Sequence, residues 1–314
     1  MSLLDEERAA LEAFRSARPL VTRSDAISEA SADGAEEDRL VHALVWTTFL
    51  LRTVLEAGRR VRAVPPSLLE LKGDGSPVTA LERDIELEIR AALEVFEPEA
   101  AFVGEESGGG LDDAGWVLSI DPIDGTWAFL SHTETFSVVM NLFREGQPFM
   151  GVVASPLTGE IGYAAAGGVT RLIRLDTLGE GDQGFTLPLG DRDPEKILVN
   201  VHPARTGSRL VSALYEAWER RDVRMVRAPG GSPSWAMLEA ARGHFTYVNE
   251  WSKSAADPWD LAAGVLLVEG AGGVVVDIQG QPIDPVGHSG PFIASASQEQ
   301  CARVLSIVRD AVHV

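Results

Sequence analysis

The chain is poor in several things that would each open a different class of function. Its 314 residues include one cysteine, Cys301. That excludes an internal disulfide framework and suits a reducing, cytoplasmic compartment. Basic residues are few: 27 Lys and Arg stand against 47 Asp and Glu, for a formal net charge of −20. Affinity for nucleic acid rests on clustered Lys and Arg, so a nucleic-acid partner is not expected. Long hydrophobic runs are missing too. The longest, HALVWTTFLLRTVLEAG at 42–58, holds His42, Arg52 and Glu56, too short and polar to span a bilayer. The first residues, MSLLDEERAALEAF, lack the basic start and apolar core of a signal peptide. No internal repeat is present, and none of the six histidines stands in a ligand-like pair.

What remains is ordinary globular composition, 45% hydrophobic, and enough length for one large domain or two smaller ones. Residues 1–38 read as an acidic extension and linker, with SDAISEASADGAEED at its end. From Leu40 a helix is expected through Leu44, Phe49, Leu51 and Leu55 to Gly58, read as its C-cap. In TALERDIELEIRAALEVF, Leu81, Ile85, Ile89, Ala92 and Phe96 recur at helical spacing. FSVVMNLF and FMGVVAS flank REGQP as a hairpin, and IGYAAAGG, TRLIRL and KILVNV are further strands. SRLVSALYEAWERR, SPSWAMLEAA, LAAGVLLVEG and SQEQCARVLSIVRDAV read as helices. Mixed runs rather than strict alternation predict an α+β fold with largely antiparallel sheet. The expected units are an extension at 1–38, an N-terminal α+β subdomain at 39–196 and a C-terminal α/β subdomain at 197–314.

Chemistry concentrates at three acidic places where elements end or begin: Glu105 and Glu106 in GEES, Asp121 and Asp124 in DPIDGT, and Asp260 in PWDLAAG. Converging carboxylates repel and raise one another's pKa, and a hard divalent cation with oxygen ligands relieves this. Pro122 removes a backbone donor and frees the Ile123 carbonyl to face a metal. Gly125 lets the backbone approach a phosphate, and Thr126 adds a hydroxyl and an N–H. Ser232 as N-cap with Pro233 at the first helical position makes a helix start suited to an anion. Thr79 and Glu82 spell a capping box.

GEES, then DPIDGT, then PWDLAAG with EGAGG resembles the inositol monophosphatase family of Mg²⁺-dependent, lithium-sensitive phosphatases, over residues 40 to about 310. The resemblance implies a layered αβαβα sugar-phosphatase fold with mixed, largely antiparallel sheets, a small-molecule phosphate substrate and a homodimer. It implies that Glu105, Asp121, the Ile123 carbonyl, Asp124 and Asp260 hold two Mg²⁺ ions. Thr126 with Glu105 would orient the attacking water, with Asp124 beside them. The Gly125 and Thr126 amides, with Gly231 and Ser232, would contact substrate.

Relatives read VT-x-x-D where this chain has VTALE, so Glu82, with Glu106, leaves a third metal open. Lys72 and Asp74 match a loop that reaches the site. Relatives that take inositol phosphate carry an acid seven positions before the WD aspartate. Here that position is Lys253, with Glu250 as a substitute if the loop is re-registered. Trp127, after GT, stands ready to line a pocket; Trp251 and Trp259 read as packing residues, and His132 lies close enough to the motif to stay open. The expected activity is hydrolysis of a polyol, sugar or amino-alcohol phosphate. The alternatives are a nucleotide 3′-phosphatase of the same superfamily and an inactive metal-binding homologue.

Overall fold

A computed structural model of the chain describes residues 34–63, 69–71, 77–111, 115–174, 185–187, 197–202, 209–228, 230–250 and 256–312. The first helix, α1 (Gly34–Ala63), begins before Leu40 and runs past Gly58, so Gly58 is not a C-cap. The reason is packing: Trp46, Leu50, Val54, Ala57 and Val61 form one buried stripe that continues beyond the glycine. Strands β1 (Leu69–Leu71) and β2 (Pro77–Thr79) pair as a small antiparallel ribbon. Helix α2 (Ala80–Phe96) follows with the expected capping box at Thr79 and Glu82. Its buried stripe is Leu81, Ile85, Ile89 and Leu93; Ala92, expected on that stripe, is exposed.

A seven-stranded sheet comes next: β3 (Ala101–Gly104), β4 (Trp116–Asp124), β5 (Ser137–Arg144), β6 (Gln147–Ser155), β7 (Glu160–Ala165), β8 (Arg171–Arg174) and β9 (Phe185–Thr186). The strands lie in chain order, and only β3 and β4 pair in parallel. The predicted β5–β6 hairpin turns at Glu145 and Gly146, both at positive φ (53° and 73°), which matches the twist of the flanking strands. Along β5, Val138, Met140 and Leu142 face one core while Val139 faces another. Both faces are covered, which is why these strands read as unbroken apolar runs.

The second sheet has five strands in the order β11 (Met225–Arg227), β10 (Leu198–His202), β12 (Thr246–Asn249), β14 (Phe292–Ser295) and β13 (Val274–Asp277). Its first three strands are parallel and the rest antiparallel. Helices α1 and α2 pack on the outer face of the first sheet. Helices α5 (Pro233–Ala241) and α6 (Ala262–Gly270) lie between the sheets, and α4 (Arg209–Glu219) and α7 (Gln298–Val312) cover the far face of the second. Three principal buried clusters fill the interfaces between layers, giving αβαβα. A five-residue helix, α3 (Thr126–Leu130), interrupts the path from β4 to β5. Among the described residues no helix is long and apolar enough to cross a membrane.

Candidate active site

In a regular strand, residues three apart point to opposite faces. Asp121 and Asp124 escape this because β4 carries a bulge between them. Asp121 stands opposite Val139 and Asp124 opposite Ser137, so three steps on β4 match two on β5. The extra residue turns both carboxylates to the side of the sheet that faces α5 and α6. Pro122, with no N–H to lose from the ladder, sits inside the irregular stretch. Parallel pairing then brings in Glu105: Gly104 lies opposite Ile120, and the Glu105 N–H donates to the Ile120 carbonyl at 3.2 Å. The Glu105 carboxyl lies close enough to Asp121 for its charge to act on it.

The electrostatics follow from this crowding. Burial first, and then the charges of Glu105 and Asp124, hold the Asp121 carboxyl well above the usual range. Burial also raises Asp124, while hydrogen bonds from Ser232 and Ser234 pull it back down. Glu82 is pushed up to about 7, chiefly by burial, with bonds from Thr79 opposing and the charges of Glu106 and Glu105 adding.

Helix α5 starts as predicted, with Ser232 as N-cap accepting from the Trp235 N–H and Pro233 following. Its N-terminus is not open, however. The Ser232 hydroxyl donates to Asp124 Oδ2 at 2.5 Å and the Ser234 N–H donates to the same oxygen at 3.1 Å. Because Ser232 has spent its proton on Asp124, the 2.7 Å contact with Ser137 has Ser137 as donor. Gly125 permits this approach: it has φ 87°, and a Cβ there would lie 2.7 Å from the Ser232 nitrogen. Asp260 lies just before α6, its Oδ2 accepting from the Asp257 N–H at 2.7 Å and its carbonyl from the Ser234 hydroxyl at 3.2 Å. The Ser119 hydroxyl donates to the Pro258 carbonyl and ties the same segment to β4.

Thr126 was expected to work with Glu105. Its hydroxyl instead lies 3.2 Å from both Glu82 Oε1 and the Ile123 carbonyl. The other Glu82 oxygen accepts from the Thr79 N–H at 2.5 Å. As they stand, no three Asp, Glu, His or Cys side chains among the described residues are gathered at metal-ligating spacing. Asp124 and Asp260 are turned to protein donors. Trp127 is 54% exposed at the start of α3, and His132 is exposed at positive φ. Trp259 packs beside Val103, Val117 and Phe143, as a packing residue should. Glu250 is half-buried. Lys72, Asp74, Trp251 and Lys253 lie outside the described residues.

A feature invisible in the sequence is a groove of about 290 Å³ along one side of α5, from Ser232 through Trp235 and Glu239 to Arg242. Arg242 Nη1 bridges Glu160 Oε2 at 2.7 Å and Glu239 Oε1 at 3.0 Å, and His244 Nδ1 meets Glu239 Oε2 at 3.1 Å. Although burial alone would raise Glu239, its bond to His244 and the nearby Arg242 charge lower it. Arg227 lies in the same lining, its guanidinium 4.1 Å from the Phe245 ring centre.

A model of the inositol monophosphatase family matches residues 44–313. The chain belongs to the inositol monophosphatase family. It is 32% identical over 218 residues to a probable inositol 1-monophosphatase of Mycobacterium tuberculosis, covering 67% of this chain and 75% of that one. It is 27% identical over 228 residues to a 3′(2′),5′-bisphosphate nucleotidase of Shigella flexneri, covering 68% and 81%. The solved structure of a Thermotoga maritima IMPase superposes with a TM-score of 0.68 at 23% identity, covering 84% of this chain and 97% of that one. The αβαβα layering is the fold of this family, and the chain is a phosphoric monoester hydrolase of it.

Proposed function

We propose that the chain is a Mg²⁺-dependent phosphatase of small phosphate monoesters, with Glu105, Asp121, the Ile123 carbonyl, Asp124 and Asp260 as metal ligands. The supporting observation is the bulge in β4, which turns two buried carboxylates to one side beside Glu105. The donor set fits the ion: every atom is oxygen, and a divalent cation would offset the burial that first raises Asp121 and Asp124 and the Glu105 charge that adds to it. Bound Mg²⁺ would polarise the phosphate, acidify a water and neutralise the leaving oxygen. The protein's own part is to aim and hold. Glu82 accepts from the Thr126 hydroxyl, which fixes that hydroxyl toward the β4 end and leaves its lone pairs for a water proton. The Gly125 and Thr126 N–H groups take the phosphate. Both Glu82 oxygens already serve protein donors, which favours two ions over three.

The leaving group is assigned to the groove beside Ser232, and the uneven reach of its charges bears on substrate. Glu160 and Glu239 have Arg242, with Arg174 and His244, as partners, while Arg227, lying over Phe245, adds a further positive charge to the same lining. That favours, as a second reading, an ester whose leaving group carries another anion, such as a 3′,5′-bisphosphonucleotide. Lithium sensitivity, a homodimer and a cytoplasmic location complete the proposal. Phosphate release with Mg²⁺ from inositol 1-phosphate, fructose 1,6-bisphosphate, histidinol phosphate and a 3′,5′-bisphosphonucleotide tests it. Failure to release phosphate from any of them, with Asp260→Asn behaving as wild type, overturns it.

A further inference from the structure

Helix α2 buries two acids one turn apart, Glu82 and Glu86, at 1% and 2% exposure. Glu82 has its cap and its bond to Thr126. Glu86 belongs to none of the motifs, and among the described residues no Lys or Arg pairs with it. A buried carboxylate is costly unless hydrogen bonds or an opposite charge replace the water it has lost. Its compensation is entirely backbone: the Glu106 N–H donates to Oε1 at 2.8 Å and the Ser107 N–H to Oε2 at 2.9 Å. Gly104 completes the seat, because a Cβ on it would fall onto the Glu86 carboxylate. The turn is closed by reciprocal backbone bonds between Gly104 and Gly108, 3.2 and 2.8 Å long.

Glu105 is therefore held on both sides, by a glycine packed on Glu86 and by an amide bonded to it. We propose that Glu86 is a positioning residue that fixes the 104–107 turn so that the Glu105 carboxylate is presented to Asp121. Glu82 and Glu86 are four residues apart, on one face of α2. The helix thus acts as a single bracket: Glu82 holds the Thr126 end of DPIDGT, and Glu86 holds the GEES turn. The function of this bracket rests on the reading of Glu105 as a metal ligand. Loss of Glu86 loosens the turn, and the entropy of ordering it is then charged to metal binding.

Calorimetric titration of the full chain with Mg²⁺, and amide exchange on chelator-treated protein, test this. Glu86→Gln keeps the size but sets an amide NH2, itself a donor, against one backbone N–H. It is expected to weaken Mg²⁺ affinity about 10–100-fold, the usual effect of removing a residue that supports a ligand, while kcat at saturating Mg²⁺ largely recovers. Exchange protection at the Glu106 and Ser107 amides falls before any metal is added. Glu86→Asp, which keeps the charge but is one methylene short, lies between the two. Gly104→Ala also weakens Mg²⁺ binding with Glu86 in place, and adds no further loss in a Glu86→Ala background. Wild-type affinity in Glu86→Gln, or lower folding stability with unchanged affinity, overturns the proposal. If the wild-type protein binds no Mg²⁺, the metal reading itself fails. Unchanged exchange at 106 and 107 then overturns the bracing as well, while its loss supports the hold on the turn.

Discussion

Asp124 and Ser232 meet in a 2.5 Å hydrogen bond across 108 residues of chain. The bond joins the end of β4 to the start of α5, and so joins the acidic motif to the wall of the groove. Ser137 extends it, donating to Ser232 from the position opposite Asp124. The site is thus a junction of both layers, and its energetics can be tested residue by residue.

Charge crowding opposes stability when no cation is bound. Asp121 is 6% exposed and faces Glu105 and Asp124. Asp121→Asn removes one of the repelling charges, and in chelator it should be more stable than wild type by about 1–2 kcal/mol. Mg²⁺ should stabilise wild type by about 2.7 kcal/mol at a hundredfold excess over its Kd, and Asp121→Asn by far less. Urea unfolding with and without Mg²⁺ measures both; equal Mg²⁺ gains in the two proteins would remove Asp121 from the ligand set.

Gly125 is expected to tolerate no side chain. It combines φ 87° with a Cβ path 2.7 Å from the Ser232 nitrogen. Gly125→Ala should cost at least about 2 kcal/mol, because the left-handed backbone penalty adds to displacement of α5. Gly108→Ala has φ 69° but open space around it, so it should cost only about 1 kcal/mol. Thermal unfolding of the pair separates conformational strain from steric exclusion.

Arg242 holds two carboxylates, and its partner Glu160 has a side chain only 8% exposed. Arg242→Ala removes the nearest cation from both acids, leaving Glu160 with Arg174 at 3.7 Å and Glu239 with His244 at 3.1 Å, and should destabilise by about 3 kcal/mol. Arg220 also contacts two acids, Glu216 and Asp222, but all three side chains are at least 45% exposed. Arg220→Ala should change stability by less than about 0.5 kcal/mol. Denaturant midpoints for the two variants check the contrast, and similar losses would refute it.

Cys301 is 3% exposed on α7, and burial pushes its thiol up to about 11. A thiol raised on folding contributes stability that is present below its unfolded pKa near 9 and lost as pH rises towards 11. The folded protein should therefore resist alkylation at pH 8 and react once unfolded. Cys301→Ala should flatten the alkaline fall in stability between pH 9 and 11. Fast labelling of the native protein at pH 8 would contradict this.

Much of this was legible from local pattern. Helix α2 declared itself because one face packs on the sheet, so Leu81, Ile85 and Ile89 recur at its period. The β5–β6 hairpin showed as two apolar runs around a glycine turn. The strands β12 and β14 escaped notice: each has four residues, all buried, so neither alternation nor length marks them. Gly58 misled because a glycine ends a helix only when packing does not carry it further, and Val61 does.

By itself the sequence determined which oxygen donors stand together in the motifs. Carboxylates, a proline, a glycine and a threonine in fixed order are a local statement about turns and oxygen donors. The chain's mixed runs of helix and strand pointed to α+β with largely antiparallel sheet, and the motif resemblance to the αβαβα layering. Only the tertiary structure decided how those atoms are held. The bulge that aligns Asp121 with Asp124 depends on pairing with β5. Thr126 finds Glu82 across 44 residues, and Glu86 finds the amides of Glu106 and Ser107 across 20 and 21. Such contacts leave no periodic trace, because hydrogen bonds from side chain to distant backbone are set by where the chain closes.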